Sequence, residues 1–162
     1  MYPSEKHPIE VVFSKARGRW MPLSRLICLF EKTPFSHVSV ALHRDGKKSS
    51  WMFETTGSGC HLLLREDWEK KHIPVETFHY EQTDTEDMDL AIFINNQLGR
   101  PYGRLAFLSL FLKRLGIWTP PSWRKWYVCS SLVAAALDLP RANSLDPKAL
   151  WEYLQSHKEV QC

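Results

Sequence analysis

The chain has no Cys-x-x-Cys pair, and none of its four cysteines stands at zinc-ligand spacing from a histidine. No zinc site is therefore expected, and Cys28, Cys60, Cys129 and Cys162 read as reduced thiols in a cytosolic setting. No apolar run approaches the ~20 residues that span a bilayer. The N-terminal MYPSEKHPIE is polar where a signal peptide would be apolar, so no export signal is expected. Internal repeats and low-complexity linkers are also missing. With 162 residues, 44% of them hydrophobic, the chain suffices for one domain with a real core, and a single domain over 1–162 is expected. One absence is local. Between Leu90 and Leu137 there is no acidic residue, while Arg100, Arg104, Lys113, Arg114, Arg124 and Lys125 fall there with Trp118, Trp123 and Trp126. The net charge is only +3 and no nucleic-acid motif is present, so nucleic acid is not the expected partner.

Periodicity gives an α+β element order. Ile9 to Phe13 is a strand, followed by a basic loop, SKARGR. Pro22 to Lys32 fits a helix with Leu23, Leu26, Ile27 and Phe30 on one face. Phe35 to Leu42 alternates, with Val38, Val40 and Leu42 on one side and Phe35, His37, Ser39 and Ala41 on the other. Trp51 to Thr55, Cys60 to Leu64 and Ile73 to Tyr80 are further strands, the last two joined by a charged loop around Asp67 to Lys71. Thr83 to Leu98 and Leu105 to Leu115 read as helices separated by Gly99-Arg100-Pro101-Tyr102-Gly103. A final helix runs from Pro147 to Gln155, with Asp146 as N-cap and Pro147 at its first position.

The stretch YVCSSLVAAAL, Tyr127 to Leu137, reads as a buried helix with Cys129 in its first turn. A cysteine there is either a small apolar core residue or a nucleophile, since free helix-start amides and the macrodipole favour a thiolate. A base has to be supplied from elsewhere. Asp45-Gly46 is a two-residue hairpin signal. It pairs Val40 with Trp51 and Val38 with Phe53 on one face, and Ser39 with Met52 and His37 with Glu54 on the other. Directly opposed residues have Cβ atoms ~4.5–5.5 Å apart. Glu54 can then orient His37, or the two can be an ordinary cross-strand polar pair. His61 follows Cys60 on a strand and could reach such a site, but surface or satisfied-core placement is the preferred reading.

The ordered motifs Ser36-His37-Val38, Glu54, Gly99 to Tyr102 and Cys129-Ser130 resemble the circularly permuted branch of the NlpC-type papain-like superfamily. That branch holds YiiX-like proteins and lecithin:retinol acyltransferase-like enzymes. The resemblance covers Ile9 to Leu154 in outline. It implies an antiparallel sheet or partial barrel packed against helices, with the histidine strand before the cysteine helix. It further implies Cys129 as nucleophile, His37 as base and Glu54 as third member, the YiiX-like set. The acyltransferase branch has a second histidine twelve positions after the first, and that position is Ser49 here. Its Asn-Cys-Glu-His signature is replaced by Val128-Cys129-Ser130-Ser131.

The expected function is a cysteine hydrolase, amidase- or peptidase-like. It would cleave an amide or ester of a peptide or lipid acyl substrate through a thioester, without metal or organic cofactor. The alternatives are a lipid acyltransferase at a membrane surface and a non-catalytic binding module that keeps the fold. Tyr102 and Ser39 are the candidate substrate contacts, with packing as the other role open to Tyr102. The segment from Leu105 to Trp126 joins apolar, basic and tryptophan character. It is either core, through Leu108, Phe111 and Leu112, or a peripheral membrane contact. A cytoplasmic enzyme is expected, with a phage-encoded or membrane-associated one as the alternative.

Overall fold

The structure, a computed structural model, describes residues 7–18, 21–43, 50–82, 84–120 and 127–157. In chain order these form β1 (His7–Ala16), α1 (Met21–Glu31), β2 (His37–His43), β3 (Ser50–Thr56), β4 (Gly59–Leu64), α2 (Arg65–Glu69), β5 (His72–Gln82), α3 (Asp84–Gln97), α4 (Arg104–Arg114), α5 (Cys129–Ala136) and α6 (Pro147–His157). The class is α+β: one five-stranded sheet in the order β4-β3-β2-β1-β5, every neighbouring pair antiparallel.

The alternation along the strands divides two apolar layers. Ile9, Val11 and Phe13 of β1, Val38 and Val40 of β2 and Phe53 of β3 form the main core with Leu132 and Val133 of α5, Leu150 and Leu154 of α6, and Leu90 and Ile94 of α3. The opposite face carries a smaller cluster, Val12, Ala41 and Met52, closed by Trp68 of α2. Fully burying a side chain of this size stabilises by about 1.5–3 kcal/mol each. Loss of Trp68 would therefore uncover a whole face. The closing helix starts as its sequence demands: Asp146 Oδ1 accepts the Ala149 N–H at 2.7 Å, one of the amides without an intrahelical partner.

Several local expectations are corrected. The first is the β2–β3 register. Val40 pairs with Phe53 and Leu42 with Trp51, two residues displaced from the expected Val40–Trp51 alignment. Residues Asp45 and Gly46, which prompted that alignment, lie outside the described residues, as does Ser49. Side chains alternate with period two, so this displacement keeps His37, Ser39 and Ala41 opposite Val38, Val40 and Leu42. Phe35, expected beside His37, is corrected: it precedes β2 and packs into the main core against Phe13. Second, the charged loop around Asp67 is the helix α2, because Trp68 needs to turn inward while its acidic and basic neighbours stay wet. Third, β1 runs on through Ala16 rather than stopping at Phe13, because β5 continues to pair with it beyond a bulge at Phe13/Ser14.

The Gly99-to-Gly103 segment is docked at two points. The Cys60 N–H donates to the Arg100 carbonyl at 2.8 Å and the Gly99 N–H to the Cys60 carbonyl at 2.9 Å. The Gly103 N–H donates to the Tyr127 carbonyl at 2.9 Å. The first contact requires Gly59: a Cβ there would lie 2.6 Å from the Arg100 carbonyl oxygen, and its φ of +110° suits only glycine. Tyr102 is thereby held beside the start of α5.

Candidate active site

Glu54 stands at the centre of the site, and it is almost fully buried. A carboxylate in that position needs partners on all sides. His37 Nε2 lies 2.6 Å from Oε2, Trp68 Nε1 donates to the same oxygen at 3.0 Å, and His61 Nε2 lies 3.0 Å from Oε1. The buried Ser39 hydroxyl adds a longer contact at 3.4 Å. Burial raises the Glu54 carboxyl, but the hydrogen bonds from His37 and His61 and the charge of His37 outweigh it. They hold the group well below the usual carboxylate range.

The Glu54 charge settles a proton position. Glu54 is held ionised and an ionised carboxylate can only accept, so Oε2 accepts from the indole and the His37 Nε2 facing the same oxygen carries a hydrogen. Cys129 lies close enough to His37 to raise its imidazole. With Nε2 committed to Glu54, Nδ1 is the nitrogen left to the thiol. His37 is the first residue of β2, so its ring sits at the rim of the sheet, where strand and α5 meet. Only 13% of its side chain is exposed. Burial alone would pull its imidazole down. The neighbouring Cys129 and Glu54, through polar contact and charge, override that and push it from 6.5 up to about 10.

Cys129 is buried and is the first residue of α5, following Val128 in extended conformation. At that position its backbone N–H has no intrahelical acceptor. The turn before it is fixed by Ser131, whose hydroxyl accepts the Val128 N–H at 2.9 Å. Ser130 Oγ donates to the Leu145 carbonyl at 2.7 Å, tying the helix to the following loop. Tyr102 packs against Val128 and Ala106. Its phenol is pushed up by burial and by the neighbouring Cys129 charge, so it stays protonated beside the sulfur.

Of the sequence-predicted residues, Cys129, His37, Glu54 and Tyr102 come together. Ser39 is corrected: it is fully buried, its oxygen accepts the Trp68 indole N–H at 3.2 Å, and it supports Glu54 instead of facing a substrate. His37 and Glu54 do not sit directly opposite each other. They meet across the displaced register, from one face, because a diagonal cross-strand pair is still within reach of long side chains.

Three members went unassigned in the sequence. His61 sits opposite Glu54 in the β3–β4 pairing, and the Gly57-Ser58 turn carried that signal, since it pairs Thr56 with Gly59 and hence Glu54 with His61. Trp68 was hidden in a charged run. His72 was hidden at the start of β5, where its Nδ1 donates to the Trp68 carbonyl at 3.2 Å. The three rings form a column: Trp68 and His72 are 4.7 Å apart at 20°, His72 and His37 4.8 Å apart at 15°. Burial and the adjacent His37 charge lower His72 to about 4, so it presents a neutral ring face to the His37 imidazolium.

Among the described residues, His37, Glu54 and His72 are the group that could hold a metal, with one ligand atom each within 4.8 Å of the others. The direct contact between two of them argues for a different use. His37 Nε2 and His72 Nε2 lie 2.6 and 3.8 Å from Glu54 Oε2, the shorter being a direct hydrogen bond.

What the arrangement can do is accept a proton from the Cys129 thiol at His37 Nδ1 and hold the resulting cation with a buried carboxylate. Compared with models of known protein families, with characterised proteins and with solved structures, the chain finds no match in any of the three.

Proposed function

We propose that this protein is a cysteine hydrolase of permuted papain-like design, cleaving an amide or ester through an acyl-enzyme thioester. The observation that carries the reading is His37, bonded through Nε2 to buried Glu54 at 2.6 Å and raised by the neighbouring Cys129. The order of elements supports it too, since the histidine strand β2 precedes the cysteine helix α5.

The steps follow from the tautomer. Cys129 Sγ–H passes its proton to His37 Nδ1, and the thiolate attacks the acyl carbon. The carbonyl oxygen becomes an oxyanion at the free N–H of the α5 start. His37 returns the proton to the departing amine or alcohol, leaving the thioester. Water then gives a proton to His37 and attacks the same carbon. The tetrahedral species collapses to the carboxylic acid, and the thiol recovers its hydrogen. Glu54 holds the ring throughout and balances its charge. Water is favoured over another acyl acceptor because the acyltransferase signature is replaced by Val128-Cys129-Ser130-Ser131.

Alkylation by iodoacetamide near neutral pH, followed residue by residue by mass spectrometry, tests the reading. Cys129 is expected to react faster than Cys28 and Cys60, and His37→Ala to slow it by roughly 10²-fold, the lower end of general-base contributions. A Cys129 no faster than the other two, or indifferent to His37→Ala, leaves a binding module that keeps the arrangement without the chemistry.

A further inference from the structure

Helix α4 exposes several of its described leucines. Among the α4 residues whose side chains are described, Ala106 and Ser109, one small and one polar, are the buried ones, while Leu105, Leu108 and, at the C-cap, Leu115 are 53%, 41% and 56% exposed. Leu112 is half-buried between them. Residues 105, 108, 112 and 115 follow the spacing of one helix face. Among residues whose side chains are described, none from α4 joins the main core or the Trp68 cluster. Its described apolar contacts, through Ala106 and Phe107, are with Val128 and Tyr102, at the helix's N-terminal half.

The helix ends in a glycine cap. The Ile117 N–H reaches the Leu112 carbonyl at 3.0 Å and the Gly116 N–H the Lys113 carbonyl at 3.1 Å, with Gly116 at φ +75°. The chain then turns back, and Thr119 is pinned to Ser109 by a hydroxyl–hydroxyl bond of 2.5 Å. Ile117 and Trp118 are left projecting, Trp118 being 78% exposed. Arg104 and Lys113 are exposed on the same helix, and no acidic residue occurs from Leu90 to Leu137.

We propose that the leucine face of α4, with Ile117 and Trp118, docks on an anionic lipid bilayer. The charge selects the occupant. A second protein surface would satisfy the leucines, but a stretch with only cations around an apolar face and a projecting tryptophan matches a negatively charged interface. Among the described residues no helix is long and apolar enough to cross a membrane, so the contact is a surface one. The docking does not depend on the thiol chemistry. Where that chemistry also holds, the face begins beside Tyr102 and Cys129 and would bring a membrane-resident acyl compound to the sulfur.

Co-sedimentation with phosphatidylcholine vesicles, with and without phosphatidylglycerol, is the test, run with the full chain. Wild type is expected to pellet with the phosphatidylglycerol vesicles and to be released by salt. The double variant Leu105→Ser/Leu108→Ser is expected to lose about tenfold or more in partitioning, given the apolar area removed. Arg104→Glu/Lys113→Glu is expected to lose binding only to the anionic vesicles. Cys129→Ser is expected to sediment with the vesicles as wild type does, which separates this result from the fate of the hydrolase reading. Wild type remaining in the supernatant overturns the proposal. So does a wild-type dimer, seen by sedimentation velocity without lipid, that the leucine variant dissolves, since a second copy would then cover the face.

Discussion

Glu54 and the leucine face of α4 break the same rule in opposite directions. One is a charge with almost no exposure; the other is a set of apolar side chains left in water. Glu54 is stable inside because the chain itself supplies every partner: two histidines, an indole and a hydroxyl. Leu105, Leu108 and Leu115 instead stay 53%, 41% and 56% exposed. A violation satisfied internally marks machinery built into the fold. A violation left unsatisfied points to something outside it.

Removing the internal partner should produce the largest effect. Glu54→Ala leaves His37 buried without its counter-charge, and breaking a buried pair this way costs about 3–5 kcal/mol. Urea unfolding should show the loss, and iodoacetamide labelling of Cys129 should fall with it. Trp68→Phe keeps a ring in the Met52 cluster but deletes one donor to Glu54, with an expected cost of about 1–3 kcal/mol. If Glu54→Ala proves no worse than Trp68→Phe, the carboxylate is not the element that organises the site.

The pH dependence of stability sharpens the same side of the comparison. His37 is raised from 6.5 to about 10, so its contribution is complete below pH 6.5 and is lost as pH rises through about 10. His72 is lowered from 6.5 to about 4, so its contribution is present above 6.5 and is lost as pH falls through about 4. Glu54 is also lowered, and its contribution disappears further into acid. Unfolding midpoints should therefore decline on both sides of pH 6.5. His37→Ala should flatten the alkaline limb, and His72→Phe, which keeps a ring in the stack, the limb between 6.5 and 4. An unchanged profile in both variants would mean that the column carries no charge coupling.

The smallest effect belongs to α4. Leu105→Ser/Leu108→Ser should leave the unfolding free energy within about 0.5 kcal/mol of wild type, as surface substitutions do. A loss of several kcal/mol would show that the leucines are core after all, and the contrast with Glu54 would collapse.

The sequence was most informative where a period or a cap decides. The alternation in FSHVSVAL placed His37 and Ser39 opposite Val38 and Val40, and the structure keeps that division. The pair His37–Glu54 survived a wrong register because a displacement of two residues preserves the face, whereas a displacement of one would have separated them. The register itself was misread, because a plausible Asp45-Gly46 turn outweighed the pairing that the flanking strands adopt. His61 was within reach of the same reasoning, applied to Gly57-Ser58.

Trp68 and His72 were not within reach. Nothing local says that a tryptophan among charges will turn inward to find a carboxylate fourteen positions earlier. Nor does local sequence say that a histidine will stack between it and His37. Those contacts exist because α2 and the start of β5 fold back over the second face of the sheet. The leucines of α4 show the same division. Periodicity alone determined that residues 105, 108, 112 and 115 share a face, since helix geometry fixes which side chains align. Whether that face is covered is a property of what surrounds the helix, and only the tertiary structure decided that it is left open.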